Sequence, residues 1–465
     1  MQRTSPATLR AAIAAAGGLS SRLSVGPTSS ATWGQLASGS VFNCHAADLH
    51  GRSIVLAAIG KFAAAAAMIA LDGVVRRMVL YPPDLSREHL SFVAQTAEAG
   101  VILIDEPLTA QQISGLPDSQ ILTLTPPTNT SHIPPPTPLL TEWILLTSGT
   151  TGRPKLVQHN LASLTGDIDF QRPPEHQTVW STFYDIRRYG GLHIFLDAVT
   201  SGASLVLACT NEPLVDFLTR AGSQGLTHIS GTPSHWRRAL MSPWAGRISP
   251  QYIRLSGEIV DQAILNGLRA QYPLAQIGHT FASTEAGVAF SVNDELMGFP
   301  LEVLDHTPNV EMKVVDSTLR IRSQRMASRY LGPNAPALKN PDGFIDTGDS
   351  LAHRNGRYYL VGRRDGIVNV GGFKVHPEEV EAVLNRHPAV AMSLVRAKKN
   401  PITGALVVSD VVLNSTDTNS DPTTLQRDII RFCHQHLEPH KVPAFLRFVP
   451  ALAVADSGKM LRRAT

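Results

Sequence analysis

A run of hydroxyl-bearing residues and glycines ends on a lysine at residues 147–155 (TSGTTGRPK). Glycines let backbone amides face inward, hydroxyl side chains add donors, and Lys155 adds a positive charge, which together suit a polyphosphate. A Walker phosphate loop requires an uninterrupted Gly-Lys-Ser/Thr, and the spacing here is different. The run therefore predicts a phosphate-binding loop outside the Walker class.

Three further polar positions have types suited to a nucleotide, and each also has an ordinary structural interpretation. Glu285, after Thr284, offers the hard oxygen ligand that Mg2+ prefers, although a Thr-Glu pair is also typical of a helix N-terminus. Asp349 closes residues 346–349 (DTGD) and offers two acceptors for a ribose diol, but such letters also form turns. Lys459, in a Gly-Lys turn, is by itself a surface lysine.

The elements that must position these residues follow an alternating rhythm. Short apolar runs such as residues 101–105 (VILID) alternate with helical patterns, which predicts βαβ units and mainly parallel sheets. Alternating residues after 310 predict antiparallel strands, and the chain after Asp365 is a domain-sized α+β segment. We predict an α/β fold: a large N-terminal portion of several α/β subdomains with parallel sheets and a small β-structured piece, then a small α+β domain.

Composition excludes several classes of function. The net charge of +3 is spread over 41 basic and 38 acidic side chains, so no footprint for nucleic acid is expected. The longest apolar run, residues 62–71, is too short to span a membrane. Cys44, Cys209 and Cys433 match no metal or disulfide spacing, which favours a reducing compartment. The acid-free first 47 residues faintly resemble a targeting peptide, but without a leucine-rich core we expect a cytoplasmic protein.

Five stretches in the same order resemble the acyl-adenylate-forming (ANL) superfamily, which includes acyl-CoA synthetases, nonribosomal peptide adenylation domains and luciferases. They are residues 147–155 (TSGTTGRPK), 281–287 (FASTEAG), 346–349 (DTGD), 362–381 (GRRDGIVNVGGFKVHPEEVE) and 456–463 (DSGKMLRR). The resemblance implies a protein that binds ATP and Mg2+ and activates a carboxylic acid.

The resemblance also implies roles for individual residues. The expected ATP and AMP site comprises Thr147, Ser148, Gly149, Thr150, Thr151, Gly152, Lys155, Ser283, Asp349 and Arg363. The expected catalytic residues are Lys459, Thr284 and Glu285, with Glu285 also the metal ligand. In the family the C-terminal lysine reaches the carboxylate and the ATP α-phosphate, where its charge offsets negative charge in the transition state.

The same resemblance divides the chain into an N-terminal domain of residues 1–361, a hinge of residues 362–365 and a mobile C-terminal domain of residues 366–465. Asp365 matches the hinge position, and Gly366 beside it is conformationally permissive. Rotation at this hinge is expected to bring a thiol-channel segment to the active site. That segment comprises Gly371, Gly372 and Phe373, and its glycine pair permits either close backbone approach or a β-bulge.

The expected acid pocket departs from the family pattern at residues 181–192 (STFYDIRRYGGL) and 256–261 (SGEIVD). Its candidate residues are Tyr184, Asp185, Arg188, Tyr189, Ser256 and Glu258. Three interpretations stay open: an arginine, Arg187 or Arg188, binds a second substrate carboxylate, Asp185 holds the α-amino group of an amino acid, or these charges form a solvated helix face. We hypothesise a small or aromatic acid with an additional polar group.

The implied reaction is attack of a substrate carboxylate on the α-phosphate of ATP, with pyrophosphate release, followed by transfer of the acyl group to a thiol. Coenzyme A is the preferred acceptor. A carrier protein's phosphopantetheine is the alternative, and because only six residues follow Lys459 we expect any carrier to act in trans. Amide formation, an amino acid substrate, and a non-catalytic nucleotide or acyl sensor are further alternatives.

Overall fold

The computed structural model describes residues 6–42, 46–109, 112–113, 115–128, 137–147, 152–170, 175–401, 403–414, 421–453 and 460. Among the described residues, every helix falls short of the length and apolar content that crossing a bilayer requires.

The strands are numbered in chain order. The first fifteen are β1 (Arg22–Val25), β2 (Ser29–Thr32), β3 (Ser40–Phe42), β4 (Ser53–Leu56), β5 (Arg77–Leu80), β6 (Val101–Ile104), β7 (Gln120–Thr128), β8 (Glu142–Thr147), β9 (Lys155–His159), β10 (Val179–Thr182), β11 (Ser204–Leu207), β12 (His228–Gly231), β13 (Tyr252–Ser256), β14 (Gln276–Ser283) and β15 (Gly287–Val292). The others are β16 (Phe299–Pro300), β17 (Val310–Val315), β18 (Thr318–Ser323), β19 (Arg329–Leu331), β20 (Ile345–Arg354), β21 (Arg357–Arg363), β22 (Val368–Val370), β23 (Phe373–Val375), β24 (Val390–Asn400), β25 (Gly404–Leu413) and β26 (Phe445–Phe448).

The α-helices of the described residues are numbered in the same way. They are α1 (Leu9–Ala16), α2 (Trp33–Ser38), α3 (Lys61–Leu71), α4 (Leu90–Thr96), α5 (Leu161–Leu164), α6 (Tyr189–Ser201), α7 (Leu214–Ser223), α8 (Pro233–Leu240), α9 (Gln262–Gln271), α10 (Glu302–His306), α11 (Pro377–Leu384) and α12 (Pro422–His436).

Two eight-stranded sheets form the large N-terminal portion. The first has the order β15-β14-β13-β12-β10-β11-β1-β2, with its six inner strands parallel. The second has the order β19-β9-β8-β5-β4-β6-β7-β3, with β8, β5, β4, β6 and β7 parallel. Antiparallel strands form both edges of each sheet. In sheets of this kind, ligands bind at the loops that follow the carboxyl ends of the parallel strands.

One hydrophobic core joins the two sheets. The helix α3 (KFAAAAAMIAL) combines the strong helix propensity of alanine with apolar residues on every side, which is typical of a buried helix. Its last eight residues are all buried, and they pack with α6 and with strand residues from both sheets. Strands such as β6 are buried throughout, as the continuous apolar run predicts.

Two smaller units follow. The antiparallel sheet β16-β21-β20-β18-β17 forms the β-structured piece, and its last strand, β21, ends at Arg363. The C-terminal unit contains the hairpin β22-β23, the sheet β24-β25-β26, α11 and α12, which share a separate hydrophobic core. The predicted α/β class, with parallel sheets and a small α+β domain, is confirmed.

Candidate active site

The predicted nucleotide and catalytic residues meet in one open cleft of about 940 Å³. Its walls are the ends of β13 and β14, the β20-β21 pair, and α11 of the C-terminal unit. The predicted residues that line it are Thr147, Lys155, Glu258, Ser283, Thr284, Glu285, Asp349, Arg363 and Asp365. Residues far apart in the sequence therefore share one surface.

The residues predicted to bind phosphate, Lys155 and Glu285, lie around Tyr330 in the cleft. The Tyr330 hydroxyl donates to Oε1 of Glu285 at 3.0 Å, and Nζ of Lys155 lies 5.3 Å from the centre of the Tyr330 ring. Burial, followed by the negative charge of Glu285, raises the pKa of Tyr330. The buried hydroxyl of Thr147 has no hydrogen-bond partner among the described residues. An anion at this edge would satisfy that donor and the charge of Lys155.

The turn that carries Thr284 and Glu285 is held by His159 at the end of β9. The Thr284 carbonyl accepts from Nε2 of His159 at 2.7 Å, which leaves Nδ1 to accept from the Ser163 hydroxyl at 2.9 Å. Burial lowers the pKa of His159 to about 4, so the ring is neutral at pH 7. A neutral imidazole thus fixes the turn from behind.

The two residues predicted to bind the ribose are brought together by the pairing of β20 with β21. Asp349 and Arg363 are directly opposite in register, and their charged groups are 3.9 Å apart. Arg363 also donates to Asp365 at 3.0 Å and to the Thr347 carbonyl at 3.3 Å. The side chain of Arg363 remains 55% exposed, so its guanidinium can still contact a bound ligand.

Glu258 holds the end of the chain at the cleft. One of its carboxylate oxygens accepts from the backbone N–H of Ser234 at 2.9 Å, and the other accepts from the backbone N–H of Met460 at 3.1 Å. Met460 follows Lys459 directly in the sequence. The carboxylate of Glu258 is therefore occupied by two protein donors, one of them from the residue next to Lys459 in the sequence.

The C-terminal unit closes the cleft through α11 and the residue that follows it. Glu378, Glu381 and Asn385 line the cleft, and the Asn385 amide donates to Asp261 at 3.2 Å. Asp261 also accepts from Arg237 and from the backbone of α9. This contact joins the two units beside Glu258.

The charges of the expected acid pocket are mostly committed to the protein. Burial would raise the pKa of Asp185, but the guanidinium of Arg187 outweighs it and lowers that pKa. Arg187 is fully buried and also donates to the carbonyls of Ala58 and Ile59. Arg188 donates to Asp84 at 2.6 Å.

The interpretation of these charges as a solvated helix face is therefore wrong, because Asp185 and Arg187 are buried. Arg187, fully buried against Asp185 and two carbonyls, presents no free edge to a substrate. Asp185 and Arg188 are absent from the cleft lining within the described residues.

The other expected acid-pocket residues lie behind the cleft. The Tyr184 hydroxyl donates to the Ser256 carbonyl at 2.6 Å, and both Tyr184 and Tyr189 are more than nine-tenths buried. The electrostatic neighbours of these tyrosines include Arg254, in the middle of β13. Of the six expected residues, Glu258 alone lines the cleft within the described part of the chain.

The expected thiol-channel segment forms a tight hairpin turn between β22 and β23. Gly371 and Gly372 have φ angles of 58° and 90°, so the pair serves a two-residue turn that requires positive φ, and not a β-bulge. Phe373 is 58% exposed and stacks on His440 with ring centres 4.5 Å apart. The segment does not contribute to the cleft as the described residues define it.

Several predicted residues lie outside the described part of the chain: Ser148, Gly149, Thr150, Thr151 and Lys459. Gly152 is described, with a φ of 83°, but is not among the lining residues. Of the described residues, no group of three or more His, Cys, Asp and Glu side chains is placed to hold a metal. Glu285 alone fits a Mg2+ that takes most of its ligands from phosphates and water.

Sequence reasoning missed Tyr330, His159 and Arg254. Tyr330 enters the site because β19 pairs with β9 from far along the chain, which no local pattern indicates. His159 had no signal beyond its place at a strand end. Arg254 did have one, since a charged residue inside an apolar strand (YIRLS) is unusual.

Solved structures of adenylating enzymes share this fold along nearly the whole chain. An anthranilate CoA ligase, AuaEII, in complex with anthranoyl-AMP has a TM-score of 0.80 at 17% identity and covers 97% of this chain and 95% of its own. The amide bond synthetase McbA from Marinactinospora thermotolerans has a TM-score of 0.75 at 18% identity and covers 97% of this chain and 98% of its own. These likenesses establish the fold class.

Sequence comparison goes further. Residues 50–326 match the model of the AMP-binding enzyme family, and residues 379–459 match its C-terminal domain. The chain belongs to the AMP-binding enzyme family.

The curated relatives include acyl-coenzyme A synthetases and CoA ligases. The chain is 27% identical over 350 residues to the human mitochondrial acyl-coenzyme A synthetase ACSM2B, covering 69% of this chain and 59% of that protein. It is 31% identical over 263 residues to the 2-succinylbenzoate–CoA ligase of Salmonella typhimurium, covering 54% of this chain and 53% of that protein. The aligned part thus spans between half and three fifths of these relatives.

Proposed function

We propose that this protein uses ATP to activate a carboxylic acid as an acyl-adenylate, releasing pyrophosphate, and then transfers the acyl group to a thiol. The observation that supports this most directly is the convergence of the Lys155 and Glu285 edge, the Asp349 and Arg363 pair, and the chain end held by Glu258 on one cleft. The names of the relatives support the same chemistry.

In this mechanism the chain contributes positioning and charge, so no protein nucleophile is required. Lys155 and Thr147, with Ser148, Gly149, Thr150, Thr151 and Gly152, would bind the phosphates, and Asp349 with Arg363 would bind the ribose. Mg2+ would supply charge neutralisation at Glu285. Lys459 would then meet the acid carboxylate and the α-phosphate, where its positive charge favours the transition state.

Coenzyme A is our proposed acceptor, because the sequence relatives are named as acyl-CoA synthetases and CoA ligases. In the present arrangement Met460 contacts the cleft while Gly371 and Gly372 lie away from it, as expected for the adenylating step. We propose that rotation at Asp365 moves Met460 away from the cleft and brings Gly371 and Gly372 to it. A carrier protein or an amine as acceptor, as the name of McbA indicates for that protein, is the alternative that the assay must separate.

The proposed compartment is the cytoplasm. Cys209 and Cys433 are free thiols, and Cys433 is buried, so they do not form a disulfide framework in the described structure.

The test is acid-dependent pyrophosphate release from Mg-ATP across aliphatic, aromatic, dicarboxylic and amino acids, with and without coenzyme A. We expect release that depends on one class of acid and accelerates with coenzyme A. Release that ignores coenzyme A would indicate a carrier or an amine as acceptor. The absence of release with every acid would contradict the proposal and favour a nucleotide sensor.

Lys459→Ala provides a sharper version of the test. We expect pyrophosphate release to fall by about a hundredfold or more, because the charge that stabilises the transition state is lost. ATP binding should change little, and thioester formation from a supplied acyl-adenylate should continue. Lys339→Ala, at an exposed surface position, is the control. Equal loss of both half-reactions would contradict the assigned role.

A further inference from the structure

A cluster of polar residues lies behind the cleft, on the face of β13 that points towards α6. The burial of β13 alternates, with Ile253 and Leu255 buried and Tyr252, Arg254 and Ser256 partly exposed. An inner strand of a parallel sheet is normally buried on both faces. Partial exposure on one face therefore indicates accessible space between β13 and α6.

Arg254 projects into this space and contacts neutral partners. Its guanidinium donates to Nδ1 of His193 at 3.1 Å and lies 5.3 Å from the centre of the Trp180 ring. Since an arginine has no acceptor, Nδ1 of His193 must be unprotonated, and Nε2–H donates to Asp167 at 2.8 Å. Arg254 is therefore linked to the Asp167 carboxylate through the imidazole of His193.

The charged groups around this contact are Arg254, Arg325, Asp167 and Asp197. Within the described part of the chain, neither Arg254 nor Arg325 lies within ion-pair distance of a carboxylate. Burial would raise the pKa of Asp167, but His193 and the charges of both arginines lower it to about 2, so Asp167 is a single negative charge between two positive ones. Asp197 faces Tyr252 from the next turn of α6 and has interactions of its own.

Two buried donors beside Arg254 lack acceptors. Nε1 of Trp180 and the hydroxyl of Tyr189 have no hydrogen-bond partner among the described residues. The Tyr189 hydroxyl lies near the backbone of Val288 without hydrogen-bond geometry, and the Val288 carbonyl accepts from Arg325. Buried donors of this kind are rarely left unpaired, which points to an acceptor group that is supplied from outside the chain.

We propose that Arg254 binds the second carboxylate of a dicarboxylic acid at the bottom of the acid pocket, with Tyr189 and Trp180 as additional donors. The inference rests on the proposed function, because it names the class of acid that this function would activate. An arginine fork suits a carboxylate, which would also accept from the two unpaired donors beside it.

The test compares acids that differ only in the second carboxylate, using pyrophosphate release from Mg-ATP. Suitable pairs are octanoate with octanedioate, decanoate with decanedioate, and phenylacetate with para-carboxyphenylacetate. We expect kcat/KM to favour the diacid by about tenfold or more in at least one pair. Arg254→Met should remove this preference by raising KM for the diacid, with kcat and the monoacid changed little.

Arg254→Lys should restore part of the preference, because it keeps the charge but loses the fork. Tyr189→Phe, which keeps the ring, tests the same site should Arg254→Met fail to fold, and it should raise the diacid KM alone. Arg269→Gln, at the surface of α9, is the matched control with wild-type kinetics.

Better turnover of every monoacid than of its diacid would overturn the inference while leaving the proposed function intact. Equal losses for both members of each pair in Arg254→Met and Tyr189→Phe would also overturn it, since that result indicates a purely structural role. The absence of release with any acid would overturn the proposed function and this inference together.

Discussion

At the scale of single residues, the Glu258 carboxylate binds backbone groups of the protein, so we expect it to position other residues and not to contact the substrate. Its two oxygens accept from backbone N–H groups of Ser234 and Met460, which are more than two hundred residues apart. Sequence position suggested a substrate contact. The structure instead shows it bound to two backbone groups, one of them from the residue that follows Lys459.

Glu258→Ala is therefore expected to reduce kcat for adenylation by about tenfold, because it leaves two backbone donors without their acceptor. Glu258→Gln should be milder, since an amide oxygen still accepts one of them. Both are measured by pyrophosphate release, and conversion of a supplied acyl-adenylate to its thioester should be unaffected. Glu302→Gln, on the exposed helix α10, is the control. Wild-type kcat in Glu258→Ala would contradict this role.

The buried His159 predicts a pH dependence of stability. Burial lowers its pKa from 6.5 to about 4 in the folded protein. Below pH 6.5 the unfolded chain therefore binds a proton that the folded chain resists, so the free energy of unfolding falls as pH drops from about 6.5 to 4. The loss from this residue is on the order of 3 kcal/mol. Denaturant unfolding across this range should show it.

The His159→Gln variant should show a flatter dependence over the same pH range. Two other groups must be included in the fit. His235, whose pKa burial lowers to about 3, acts in the same direction. Asp72, whose pKa burial raises to about 6, acts in the opposite direction between about pH 6 and 3.8. An unchanged slope in His159→Gln would contradict the assignment.

At the scale of elements, the site is formed by the ends of strands and by one strand, β19, that pairs with a strand far earlier in the chain. The ends of β13 and β14 carry Glu258 and Thr284, and β19 returns to pair with β9 and brings Tyr330 to Lys155. The end of β21 passes so close to the start of α11 that a Cβ on Gly362 would lie 2.7 Å from both His376 and Glu378. The segment 362–365, which we propose as the hinge, thus begins at a tightly packed glycine.

Gly362→Ala should destabilise this contact by about 1–3 kcal/mol, because its φ of 150° disfavours a side chain and a new Cβ meets two polar groups. Thermal unfolding of the full chain measures it. Gly366→Ala is the matched control, since a Cβ there meets nothing within 4 Å and its φ is not positive. Identical melting of the two variants would contradict the close-packing argument.

At the scale of the whole molecule, two units with separate cores meet beside the cleft. The C-terminal unit supplies α11, Asn385 and Met460, and the backbone N–H of Met460 donates to Glu258 of the N-terminal portion. The side chain of Asp365, two residues after the end of β21, is 57% exposed. This arrangement suits a protein that must release one set of groups from the cleft and admit another.

A chain ending at Arg363 keeps every strand of the two large sheets and of the β16-β21-β20-β18-β17 sheet. We expect it to fold cooperatively and to bind ATP within about tenfold of the full chain, because the phosphate and ribose residues remain. It should release no pyrophosphate, since Lys459 is lost. Calorimetric ATP binding and pyrophosphate release test this. Retained pyrophosphate release would contradict the two-unit division of labour.

The sequence by itself determined the class of fold and the nucleotide half of the site. Apolar runs such as 101–105 and the alanine-rich α3 predict buried elements from composition alone, since short-range propensity and burial agree there. Motifs such as 281–287 and 346–349 are local in the chain. Their residues can therefore be recognised without knowledge of the fold. Glu285 and Asp349, recognised in this way, both line the cleft.

Only the tertiary structure decided which charged side chains are paired with other groups of the protein. Asp185 and Arg254 look alike in the sequence as charges near apolar strands, but Asp185 is neutralised by Arg187, two residues away, and Arg254 meets a neutral imidazole from α6. Glu258 likewise binds the far end of the chain. Long-range packing decides which groups become partners of a charged side chain, and the burial of that charge depends on those partners. The local sequence pattern therefore does not predict which charges are buried.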